Sequence, residues 1–365
     1  EIKMKGRGCF CFCKHHTRNV MASIKGKLFE FFVYRLLVSC GFKPVTPDGL
    51  LVYKGGAGLM VQGVGQPHNA DVLLAPPIQT PFYYPTRLLV ECKCYNDSIG
   101  LPQIRNALGL RDDINNFEIV TEEILKNRKS NRSSKPKFYD TKRYVYQVAV
   151  ASIDGYKSTA YPFAKAHRIP LISFAQSAMF ANIRQAISEL DDLARRNEDV
   201  GLRISSHISD LMLHPEQRSY IDCFDCDEWR TYFGEVERIA HQITIGLLEN
   251  GTIIFLLNGG QEYSRIYNSE MQDDGCTIHC YSEDDSTWVL NDHGTVYYFE
   301  LPKELYDDWA HSVGKQRKDA LRIKREYFSK IVLFHRTEGE TEGITILHLS
   351  ERFMRRAERS VTEEG

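Results

Sequence analysis

The sequence predicts an α/β protein in two parts: a mixed sheet flanked by helices over residues 22–200, and an accessory α+β domain over 201–365. Three observations carry that expectation. A helix, a strand meander and then alternating helices and strands fill the first half. The composition shifts across 195–207, after which a hairpin signal and a basic helix appear. A chain of 365 residues is also about two domains long.

The first helix is expected over 23–40, where Ile24, Leu28, Phe31, Phe32, Leu36 and Leu37 recur at helical spacing. Gly41 supplies its stop. Short strand-like runs follow at 50–53, 59–61, 71–74 and 87–93, separated by Gly and Pro. A helix is expected over 102–114, with Pro102 near its first turn. Residues 144–152 read as a buried strand, 159–167 as a short helix, 169–174 as a strand and 176–196 as a long amphipathic helix. In the second half a helix is expected around 235–248 and a strand over 252–257. A hairpin is expected at 287–290 and 295–301 about Asn291-Asp292-His293-Gly294. A helix over 314–328 and strands at 330–335 and 343–349 complete the pattern. Residues 1–21 read as an irregular segment.

Charge and cysteine content narrow the function. The chain carries 46 basic and 48 acidic side chains, which excludes a uniformly basic nucleic-acid coat protein and a strongly acidic tail. Any polyanion must therefore meet a local patch. Residues 126–143 are such a patch, with Lys129, Arg132 and Lys135 among its bases and Asp140 its only acid. The ten cysteines are poorly spaced for a disulfide framework. With no secretory signal visible, a reducing cytoplasmic setting is expected. No apolar run approaches the ~20 residues of a membrane span. Cys223, Cys226, Cys276, His279 and Cys280 contain enough ligands for zinc, but the two groups lie too far apart for a compact ribbon.

The most informative stretch is Gly63-Val-Gly-Gln-Pro-His-Asn-Ala-Asp71, followed by Arg87-Leu-Leu-Val-Glu91-Cys-Lys93. Alternate strand residues share a face, so Glu91 and Lys93 project together. A hairpin between the two strands would bring Asp71 beside Glu91. Two converging carboxylates suit a hard cation such as Mg²⁺. A neighbouring ammonium can orient or help deprotonate a water attacking a phosphodiester. Glu1-Ile-Lys3 and Asp140-Thr-Lys142 have the same acid-x-Lys spacing, but no apolar strand runs into either acid.

Glu30 on the first helix, Asp71, and Glu91-x-Lys93, with the helix, strand, helix and strand that follow, resemble the PD-(D/E)XK, or restriction-endonuclease-like, superfamily. The flavour is Mrr-like. Residues 99–109 are similar to the helix after that family's catalytic strand, and the likeness covers about 22–190. Two features depart from the pattern: Ala70 rather than Pro precedes Asp71, and residues 115–143 form a long basic insertion.

The resemblance implies that Asp71 and Glu91 are metal ligands, Lys93 the water-orienting base, Glu30 an auxiliary acid and Gln103 a phosphate or substrate contact. It implies an Mg²⁺-dependent endonuclease, with Mn²⁺ able to substitute, acting on DNA rather than RNA in restriction, anti-phage defence or repair. The alternative is a catalytically silent nucleic-acid-binding or assembly module on the same fold. The second half would sense a target, bind a partner protein or mediate homo-oligomer assembly. Read as plain structure, Glu30 pairs with Lys27 or Arg35, Gln103 is a polar residue of a first helical turn, and His68 is a solvated loop histidine.

Overall fold

The computed structural model describes residues 24–56, 58–79, 83–117, 143–175, 178–213, 224, 226–249, 251–259, 275–280, 287–302, 305–306, 317–335 and 343–363. The sequence readings of residues 1–21, of most of the basic insertion and of Cys223 fall outside these.

Helix α1 (Ile24–Ser39) carries buried side chains around most of its circumference, Leu28, Phe29, Phe31, Phe32, Val33 and Leu36 among them. A helix apolar all round belongs in a core rather than on a surface. After it come β1 (Lys43–Pro44), β2 (Val52–Gly55), β3 (Gly58–Val61), β4 (His68–Ala70), β5 (Val72–Ala75) and β6 (Thr86–Lys93). Then follow α2 (Leu101–Asn115), β7 (Val145–Ser152), α3 (Ala160–His167) and β8 (Leu171–Ser173). The expected α/β class is observed. A five-stranded sheet has the order β1-β5-β6-β7-β8. Its β1/β5 and β5/β6 pairs are antiparallel, and β6/β7 and β7/β8 are parallel. The short β2, β3 and β4 form a separate three-stranded sheet.

The two faces of the five-stranded sheet bury different partners, as the two-residue strand period requires. Val72, Leu74, Val90, Cys92 and Ala149 face α1. Leu73, Leu89, Val148 and Val150 face α2 and α3 through Ile104, Ala107, Ala160 and Ala164.

Helices α4 (Ala181–Arg196), α5 (Glu198–Leu213) and α6 (Asp227–Gln242) come next. The sequence boundary expected at 200/201 falls inside α5. A strand, β9 (Ile243–Leu248), starts directly at the end of α6, where the sequence reading extended a helix to 248. The β-branched run Ile243-Thr244-Ile245 favours a pleated surface, and it pairs on both sides, with β10 (Ile253–Asn258) and β14 (Lys330–His335). The remaining elements are β11 (Thr277–Cys280), β12 (Thr287–Asp292), β13 (Thr295–Glu300), α7 (Arg317–Tyr327), β15 (Gly343–His348) and α8 (Glu351–Glu363). The expected hairpin closes tightly at His293 and Gly294, whose φ angles are 49° and 97°. Two positive values are what a type I′ connection needs.

Strands β9 to β15 build one antiparallel seven-stranded sheet, order β11-β12-β13-β10-β9-β14-β15. Its Ile243, Ile245, Phe255 and Val332 pack into the cluster that holds α1. Leu256, Leu290, Leu333 and Phe299 pack the other way, toward α7 and α8. The helices α1, α4, α5 and α6 thus form a layer between two sheets. Tyr232 on α6 donates its hydroxyl to the Leu28 carbonyl at 2.6 Å. Arg35 grips Glu237 with two hydrogen bonds of 2.8 and 2.7 Å. No described helix is long and apolar enough to cross a membrane.

Candidate active site

The candidate site lies on the β5–β6 hairpin. Val72 pairs with Val90 and Leu73 with Leu89, so the residue before β5 comes opposite the end of β6. Asp71 is held there by the backbone N–H of Cys92, which donates to its Oδ2 at 2.9 Å. Glu91 and Lys93 share the same face of β6, and Lys93 Nζ donates to Glu91 Oε2 at 2.7 Å. The same ammonium stands 3.8 Å from Asp71 Oδ2. The structure brings together the three residues that the sequence pattern paired, and the two-residue strand period is the reason.

Glu30 reaches the site from the helix layer. It is 8% exposed and takes a 2.6 Å ion pair from Lys27, whereas Arg35 is committed to Glu237. Of its two expected pairings, the one with Lys27 forms. Glu30, Lys27 and Asp71 line a narrow cleft of about 40 Å³, shared with Tyr34 and with Ser209 and Met212 of α5. That volume holds a few waters, not a nucleotide. Nothing in the sequence pointed to Ser209 or Met212, because the segment around them reads as a boundary.

Burial and mutual repulsion perturb these acids. Burial pushes the Asp71 carboxyl up to about 7, and the charges of Glu30 and Glu91 add to the rise against Lys93 and the Cys92 N–H. Glu30 is also raised, by burial first, with Lys27 opposing. Burial alone would lower the Lys93 pKa, but Glu91 and Asp71 outweigh it and the net shift is upward. Lys93 is therefore a firmly protonated ammonium between the Glu91 carboxylate and the Asp71 carboxyl.

Gln103 stands in the first turn of α2, and among the described residues its buried Oε1 has no hydrogen-bond partner. It makes no hydrogen bond to Asp71, Glu91 or Lys93 among the described residues. Ile99 and Lys157 anchor the loop before it to the loop after β7, through Ile99 N to Gly155 O at 2.9 Å and Lys157 N to Ile99 O at 2.8 Å. His68 is not a solvated loop residue: it lies in β4, and its Nε2 is 2.6 Å from Asp113 Oδ2 on α2. The other oxygen of Asp113 accepts the Gly65 N–H at 3.0 Å. Together these contacts pin the glycine-rich approach to the body of the domain. Lys129, Arg132 and Lys135 lie outside the described residues.

Among the described residues, no group of three or more His, Cys, Asp and Glu is placed to hold a metal ion. The donors present are the carboxylates of Asp71 and Glu91, with Glu30 behind. Two hard oxygen donors match what Mg²⁺ takes from a protein when waters and phosphate oxygens complete its shell. Burial first, and then the neighbouring Glu30 and Glu91, raise the Asp71 pKa. The donor chemistry fits such an ion. The Cys276 thiol is buried and the Cys226 thiol half-buried, both free.

No family model matches the chain, and no curated protein matches it. Among solved structures it is similar to one described as a protein of unknown function, AF1548, at 13% identity and a TM-score of 0.26. That match covers 52% of this chain and 96% of the other.

Proposed function

We propose that this protein is a metal-dependent nuclease of the PD-(D/E)XK type that hydrolyses DNA phosphodiester bonds in the cytoplasm, in restriction, anti-phage defence or repair. The observation that carries this reading is the convergence of Asp71 and Glu91 on the Lys93 ammonium at the end of one hairpin, with Glu30 beside them. In this reading Asp71 and Glu91 hold Mg²⁺ or Mn²⁺. When bound, the cation supplies Lewis-acid stabilisation of charge on the phosphoryl oxygens and lowers the pKa of water.

The chain's own groups do the rest. The Cys92 N–H fixes the Asp71 carboxylate, so its free lone pairs are oriented before substrate arrives. Lys93 stands on the same face as both carboxylates, where its ammonium would orient an attacking water against the scissile phosphate. Its Nζ would hold the proton there, kept charged chiefly by Glu91 and Asp71 against the effect of burial. Glu30 repels negative charge from the Asp71 side and, through Lys27, fixes the inner wall of the site.

The test is incubation with linear, circular and single-stranded DNA and with RNA, in Mg²⁺, Mn²⁺ or EDTA, beside Asp71→Ala and Lys93→Ala. Metal-dependent cleavage that falls by about 10²-fold or more in both variants is the expected result. Cleavage that survives both substitutions would sink the site assignment.

One observation favours a second reading, a catalytically silent nucleic-acid-binding module. Lys93 already occupies the space between the two carboxylates as a salt bridge, which a purely structural site would also show. Absence of cleavage with every metal, together with salt-sensitive DNA binding, would select it.

A further inference from the structure

Helix α8 presents an arginine face. Arg352, Arg355, Arg356 and Arg359 are all exposed and stand at i, i+3, i+4 and i+7, the spacing that places residues on one side of a helix. Glu358 stands off that side and its Oε1 takes Arg325 Nη2 of α7 at 2.8 Å, while Glu363, at i+4 from Arg359, shares the side by spacing. Glu351 sits in the first turn, where a negative charge complements the helix dipole.

The opposite face of α8 is already used. Met354 is 2% exposed, and the Phe353 ring meets the His279 ring edge-on at 4.9 Å. Lys324 of α7 lies 5.0 Å over the same Phe353 ring. A basic amphipathic helix that binds a bilayer must insert its apolar face. Here that face is committed to the second core, so the arginines can recognise a partner only by charge and hydrogen bonding. The guanidiniums of Arg352, Arg355 and Arg359 offer planar, doubled donors suited to phosphate oxygens, where lysines would offer point charges.

We propose that α8 binds the phosphate backbone of nucleic acid, making the C-terminal half a second grip on the substrate. The face spans about 10 Å of helix, and that length of duplex carries about six phosphates, enough for every arginine. The choice of nucleic acid among polyanions rests on the phosphodiesterase reading of the site; the arginine face does not.

The test measures binding of the full-length chain to a labelled DNA duplex in EDTA, across a salt series. It compares wild type with R352A/R355A/R359A and with R352K/R355K/R359K, at matched thermal midpoints. The alanine variant is expected to bind on the order of tenfold or more weakly, with a slope of log affinity against log salt shallower by about 2.7. The lysine variant is expected to keep the wild-type slope. An alanine variant with unchanged affinity and slope overturns the proposal, as does a lysine variant whose slope falls as far as the alanine one's. Wild type that ignores duplex DNA but binds phosphatidylserine vesicles overturns it too. Because EDTA prevents cleavage, a protein that never cuts still answers the question, so failure of the nuclease reading is read separately.

Discussion

Asp71 couples the site to stability. An unfolded Asp ionises near 3.8, whereas burial and its acidic neighbours keep the folded carboxyl protonated to about 7. Between those values the folded chain holds the extra proton, so this group's contribution to stability falls as pH rises. The whole effect is at most about 4 kcal/mol. Asp71→Asn removes it. In metal-free buffer the variant is expected to gain thermal stability relative to wild type as pH goes from 4 to 7.5, and Mg²⁺ at pH 7.5 is expected to raise the wild-type midpoint alone. A midpoint difference that does not change with pH would show that the carboxyl is not perturbed as the geometry requires. The residues of this cluster were legible because strand alternation and an apolar run into Glu91 are local signals. The contribution of α5 to the cleft was not, since Ser209 and Met212 come to its wall only through tertiary packing.

At the scale of elements, local pattern worked where one face dominated and failed where two partners competed. The first helix, the strand β6 and the helix over Leu101–Asn115 were readable to within a residue or so of their bounds. The end of α6 was not. Its apolar period continues into Ile243 and Leu247, and only pairing with β10 and β14 turns that run into a strand. Helix α8 escaped notice for a different reason: its buried stripe is narrow and its charged face dominates the composition. The strand reading of β9 has a specific consequence at Gly246. A Cβ there would stand 2.7 Å from Ile254 Cγ1 and 2.8 Å from Leu256 Cδ1 on β10. Gly246→Ala is expected to cost about 1–3 kcal/mol by overpacking, seen as a lower urea midpoint at unchanged m-value. A neutral result would mean that β9 and β10 do not pack in this register.

For the whole molecule, the central question is whether the two halves are separable. A division at 200/201 is natural on composition, but a single apolar cluster runs from Ile24 on α1 to Phe334 on β14. Phe174 and Phe180 from the first half both meet Phe255 of β10, at 5.2 Å. Trp229 and Tyr232 on α6, both fully buried, complete the packing around α1. The helix that carries Glu30 therefore has its outer face covered by the second half. Sequence pattern could not reveal this, because an all-round apolar helix looks the same whichever elements surround it. A chain ended after residue 200 would expose Leu28, Phe31 and Ile183, along with the helix layer's contacts to the seven-stranded sheet. Such a surface far exceeds what a soluble monomer leaves open. The expected outcome is that this fragment unfolds without a cooperative transition or aggregates, while the full chain melts in one step. Far-ultraviolet circular dichroism and tryptophan fluorescence are then expected to share a midpoint in the full chain, since Trp229 and Trp288 lie in the second half and the five-stranded sheet in the first. A fragment that melts cooperatively at the temperature of the full chain would show that the shared helix layer contributes nothing to the first sheet's stability. The position of Glu30 would then have to be set within the first half alone.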